Sequence, residues 1–121
     1  MRFVVCALAA MLVPFTARAE VNQTGAQIQP FCRMVVDANI RMNLQDASFM
    51  GSCSGMIGTL MVLGSYLPSN MRSCPPGQGN VLQGTKVFLK FLNEHPERLH
   101  EQAIILAIDS FRQAWPCPNS H

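Results

Sequence analysis

The sequence predicts a small all-α protein, a disulfide-stabilised four-helix bundle. Apolar residues recur at three- and four-residue steps in four separate stretches, which is the period of an amphipathic helix. No stretch alternates apolar and polar residues as a half-buried strand would. Four cysteines outside the leader, spread along the chain with no C-x-x-C spacing, read as two disulfides rather than as zinc ligands.

The 121 residues suit one domain. The start reads as a secretory signal over residues 1–19. Arg2 precedes an apolar run from Phe3 to Val13, and Ala17-Arg18-Ala19 offers an A-x-A cleavage site before Glu20. Cys6 lies early in the apolar run, away from the cleavage point, so no lipid anchor is expected. The expected destination is the periplasm. Taking Arg2 and Arg18 from nine Lys and Arg leaves seven, against seven acidic residues. A near-neutral mature chain lacks the basic patch that nucleic-acid binding needs.

Residues 20–29 are polar and aperiodic and are expected to form a flexible arm, with the folded domain over 30–118. Pro30 suits the first turn of a helix over about 30–43, whose predicted buried face is Phe31, Met34, Val35, Ala38 and Met42. Asp46 can cap a second helix over 47–63. Phe49, Cys53, Met56, Ile57, Leu60 and Leu63 mark its buried stripe. Gly51, Gly55 and Gly58 each cost roughly 0.8–1 kcal/mol there against alanine, so packing must hold this helix. The uncharged run from Ala47 to Met71 is long enough for a membrane span. Its glycines, its serines and a cysteine needed for a disulfide argue for a core helix and against stable membrane insertion.

Ser65 to Gly79 reads as a long irregular loop pinned by Cys74. Asn80 and Gln83 have capping-box spacing for a third helix that buries Val87, Phe88, Phe91 and Leu92 and stops before Pro96. A fourth helix starts between Pro96 and Gln102, carries Ile104, Ile108, Phe111 and Trp115 on one face, and ends at Pro116. Four cysteines allow three pairings. Up-down geometry brings the start of the first helix beside the end of the fourth, which favours Cys32–Cys117 and leaves Cys53–Cys74.

No enzymatic constellation emerges, and no cofactor or metal is expected. His95 and His100 flank a proline, so they do not form the helical H-E-x-x-H pair of a zinc hydrolase. The cysteines are better used in disulfides than as nucleophiles. The methionines fall mainly on helix faces as core filler, and Gly77-Gln78-Gly79 lacks the length and lysine of a phosphate loop. The loop holding Tyr66, Leu67, Asn70, Met71 and Arg72 mixes the residue types of protein interfaces and is the candidate binding element.

Several motifs together resemble the Rap/Tai immunity proteins of type VI secretion systems. They are Cys74-Pro75-Pro76-Gly77, Gln83-Gly84, Phe91-Leu92, His95-Pro96-Glu97-Arg98-Leu99-His100-Glu101 and Ala114-Trp115-Pro116-Cys117. Cys53-Ser54-Gly55 resembles the Cys-x-Gly-Tyr that precedes them, with Met56 at the usual tyrosine, Thr59 at a usual glycine and Gln102 at a frequent proline. The resemblance covers about Cys32 to Cys117. It implies an exported, periplasmic, all-helical protein, often dimeric, that binds and occludes a cognate peptidoglycan amidase effector without catalysis. The alternative on the same scaffold is a periplasmic helical chaperone or an apolar-ligand carrier with no effector partner, the carrier having an enclosed cavity among the second, third and fourth helices.

Overall fold

A computed structural model describes residues 23–37, 39 and 41–119. The expected signal at 1–19 and the first residues of the expected arm lie outside them. Four helices follow in order: α1 Gly25–Val36, α2 Leu44–Leu63, α3 Val81–Glu94 and α4 Ala103–Ala114. Short 3₁₀ turns cover Gly64–Tyr66 and Pro96–Arg98. Among the described residues the β-structure is one isolated bridge, Thr24 with Gln102.

The first helix begins five residues before Pro30, in the stretch expected to be a loose arm. Its start is capped twice over. Thr24 and Gln27 form a capping box. Two first-turn N–H groups then find partners across the fold: Gly25 N–H donates to the Glu101 carbonyl at 3.0 Å and Ala26 N–H to the Leu99 carbonyl at 2.9 Å. In return Ala103 N–H donates to the Gln23 carbonyl at 2.7 Å. Helix starts leave such donors orphaned, so these three bonds lock the beginnings of α1 and α4 together. The contact is close: a methyl group on Gly25 would sit 2.5 Å from Leu106 Cδ1 and 3.3 Å from the Leu99 carbonyl oxygen. The buried face is therefore Gly25, Ile28 and Cys32, with Val35 and Val36 half-buried, while Met42 lies beyond the helix and is exposed. Ala38 lies outside the described residues.

The cap of α2 is Asn43, not Asp46. Asn43 Oδ1 accepts from Asp46 N–H at 2.8 Å, and the Asp46 carboxylate returns a bond to Asn43 N–H at 3.3 Å. Cys53, Ile57 and Leu60 face the core; Leu63 does not. Facing them, α3 buries Gly84, Thr85, Phe88, Leu89, Phe91 and Leu92, and α4 buries Ala103, Leu106, Ala107, Ile108, Ser110 and Phe111. A methyl group on Gly84 would lie 2.7 Å from Ile57 Cγ2 and 3.0 Å from both Met61 Sδ and Phe111 Cζ. That glycine is the point where three helices meet.

The disulfides join Cys32 to Cys53 and Cys74 to Cys117, which overturns the expected Cys32–Cys117 and Cys53–Cys74 pairs. The reason lies in the boundaries of α1. Because the helix starts at Gly25, Cys32 sits well inside it and faces the middle of α2. Phe31 stacks on Phe49 beside this link, ring centroids 4.6 Å apart. The loop carrying Cys74 folds past Gly64, where Ser73 N–H meets the Gly64 carbonyl at 3.1 Å, and Cys74 N–H meets the Trp115 carbonyl at 2.8 Å. Cys74 is thus delivered to the end of α4.

The bonds close segments of 21 and 43 residues. In the chain-entropy description such loops contribute about 3 and about 4 kcal/mol. Peptide mapping under non-reducing conditions should recover Cys32–Cys53 and Cys74–Cys117 and no Cys32–Cys117 fragment. Replacing Cys32 and Cys53 together by serine should lower unfolding free energy by about 3 kcal/mol in urea titrations.

Candidate partner-binding surface

The five residues singled out in the loop after α2 divide into two groups. Leu67 and Met71 are half-buried and pack on the core, so they anchor the loop. Tyr66, Asn70 and Arg72 point outward, with Tyr66 81% exposed. The loop has a defined shape: Leu67 N–H donates to the Gly64 carbonyl at 3.4 Å, Met71 N–H to the Pro68 carbonyl at 2.8 Å, and Arg72 Nε to the Leu67 carbonyl at 2.9 Å. A loop closed on itself and tied to α4 through Cys74 presents its outward side chains with little ordering left to do, which favours binding.

Two exposed features were not legible in the sequence. The first is the outward side of α2, with Leu44 93% exposed at its start and, about five turns on, Val62 70% exposed next to Leu63 and Tyr66. The segment Leu44–Tyr66 is long and apolar enough to cross a membrane by length and composition. In this fold its inward side packs on α1 and α3 and carries Cys53. The second feature is Arg112 on α4, which shares an open hollow with Arg72. An apolar groove runs between the starts of α1 and α4 and the middle of α2, lined by Ile28, Met56, Ala103 and Ile104 among others. It is open, not enclosed, and lies between α1, α2 and α4.

The histidine-rich junction after α3 is held by an ion-pair network. Arg98 donates two bonds of 2.7 Å to the two Glu101 carboxylate oxygens and a third of 2.7 Å to Asp109 Oδ2, with its guanidinium 5.5 Å from the Phe91 ring centroid. The bidentate geometry makes these strong bonds. They hold the Leu99 and Glu101 carbonyls where α1 docks. The Arg98 bonds pull the Glu101 carboxyl below the usual carboxylate range. Glu97 is also lowered, first by a bond from its own backbone N–H and then by His95, whose Nδ1 lies 3.2 Å from Glu97 Oε1. Among the described residues no three His, Cys, Asp or Glu side chains come together as a metal site. Cys32, Cys53, Cys74 and Cys117 are all consumed in disulfides.

The family model for Rap1a immunity proteins matches residues 24–117. The chain belongs to the Rap1a immunity protein family. The match begins at the Thr24 cap of α1 and ends at Cys117, so it takes in all four helices and both disulfides. No curated protein and no solved structure matches the chain significantly. Within this Rap1a-family chain, the His95–Glu101 motif forms the joint between the start of α1 and α4.

A carboxylate with a lowered pKa contributes stability that is present above its ordinary value near 4.5 and is lost as pH falls through the lowered one. Arg98→Gln should therefore flatten the acid limb of the stability–pH profile, below about pH 4.5, and leave its slope at neutral pH unchanged. Urea denaturation across pH 2–7 measures this.

Proposed function

We propose that the protein is exported to the periplasm and there binds and occludes a cognate peptidoglycan amidase effector of a type VI secretion system. The observation that carries the reading is the family match across the whole described domain, coupled to a braced surface. Tyr66, Asn70 and Arg72 form the contact patch, and Leu67 and Met71 hold it. Inhibition by occlusion needs surface complementarity and a rigid frame. The two disulfides supply that frame and suit an oxidising compartment. The leader over residues 1–19 is removed on export, and the mature chain does not stay in the membrane. The exposed apolar end of α2, with Val62 and Leu63, is the surface for a second copy of the chain, giving the dimer that the resemblance implies.

The open apolar groove over Ile28, Met56 and Ile104 supports a second reading, a helical chaperone or apolar-ligand carrier. The two separate on one assay. The mature chain is mixed with a panel of peptidoglycan amidases delivered by type VI systems, and residual amidase activity is measured. One amidase should be silenced, its complex with the chain should co-purify, and the chain's mass should start at Glu20. Tyr66→Ala should weaken that complex by about 2 kcal/mol, roughly thirtyfold in Kd. Full amidase activity in excess protein throughout the panel, with an apolar dye displaced from the groove by fatty acids, would move the assignment to the carrier.

A further inference from the structure

A hollow at the far end of α4 sets Arg72 of the contact patch beside a second arginine, Arg112, that the reading above does not use. Ser69 and Arg72 of the loop after α2, Arg112 of α4 and the segment Pro116 to Asn119 line it. It is open to solvent, about 570 Å³ in volume, and none of the described residues that line it carries a carboxylate. The loop and the end of α4 are tied together beside it by Cys74–Cys117 and by the Cys74 N–H to Trp115 carbonyl bond.

Both guanidinium groups are oriented but not saturated. Arg72 uses Nε on the Leu67 carbonyl, and its remaining N–H groups make no hydrogen bond among the described residues. The Arg112 Nη1 nitrogen lies 3.7 Å from Asp109 Oδ1, beyond hydrogen-bond length, while Asp109 Oδ2 is held at 2.7 Å by Arg98. Asp109 is thus shared between two cations and binds Arg98 more closely, so Arg112 is only loosely ion-paired and forms no hydrogen bond to it. Forked guanidinium groups match carboxylates bidentately. The hollow is larger than a single small anion needs, and Ser69 and Asn119 add neutral hydrogen-bonding groups suited to a peptide backbone.

We infer that this groove seats a carboxylate-bearing loop of the protein partner, with Arg72 and Arg112 gripping one or two Asp or Glu side chains. The inference rests on the partner-binding reading above and names a second contact for it, continuous with the Tyr66–Arg72 loop. It also gives Arg72 a specific task, to hold charge across the groove from Arg112.

The test does not require the effector, so its failure is distinct from a failure of the immunity reading. The full mature chain, ¹⁵N-labelled on arginine, is titrated with an acetylated, amidated Gly-Glu-Ser-Glu-Gly peptide and its glutamine counterpart. Inorganic phosphate is the third probe. The Arg72 and Arg112 Nε–H signals should shift with the glutamate peptide and not with the glutamine one. Binding should weaken about tenfold or more in the R72Q/R112Q double variant, as expected for losing two charge-assisted contacts. An unchanged backbone amide spectrum certifies that the variant is folded, and the shifts in the unaltered chain stand independently of it. Shifts spread equally over Arg33, Arg41 and Arg98 would overturn the inference. So would phosphate binding as tightly as the peptide, which would make the hollow a small-anion site, or an absence of shifts at Arg72 and Arg112.

Discussion

The packing of α2 on one side only is the constraint on which the rest of the structure depends. This helix is uncharged from Ala47 onward and carries Gly51, Gly55 and Gly58, which weaken it locally. Only Cys53, Ile57 and Leu60 are fully buried, and its opposite side stands open. What holds it is a short line of contacts: the bond to Cys32, the Phe31–Phe49 stack and the close approach of α3 at Gly84. A helix buried on all sides could spare any of these.

The second brace is the joint between α1 and α4. Arg98 draws Glu101 and Asp109 together, and this fixes the Leu99 and Glu101 carbonyls that cap α1. The sequence pattern marks the place as charged and proline-broken but not as a docking point. Half of the capping comes from backbone carbonyls some 75 residues away, which local reading cannot see. For the same reason Gly25 reads as loose when it is in fact the residue that permits close packing against Leu106.

The fold class, the helix count and the buried stripes of α3 and much of α4 were legible, because those helices are amphipathic and α3 has a clear cap at Asn80. Asn80 caps Gln83 N–H at 2.9 Å as its spacing implies. The disulfide pairing was not legible. A five-residue error in where α1 starts moved Cys32 from mid-helix to a helix end, and with it the predicted partner. At the candidate surface, composition identified the loop but not its division into the anchors Leu67 and Met71 and the outward Tyr66, Asn70 and Arg72. Arg112 was missed because nothing local ties it to Arg72; the Cys74–Cys117 link does.

Membership of the Rap1a immunity family and a scaffold braced at two points fit a protein that works by presenting a fixed shape. The claim beneath that account is that α2 owes its order to its tie to α1. Amide hydrogen exchange of the mature chain and of its C32S/C53S variant, which keeps Cys74–Cys117, measures it directly. The account predicts that loss of the Cys32–Cys53 bond strips protection from Leu44–Leu63 while α3 and α4 keep theirs. Protection of α2 that survives in the variant as fully as that of α3 would contradict it.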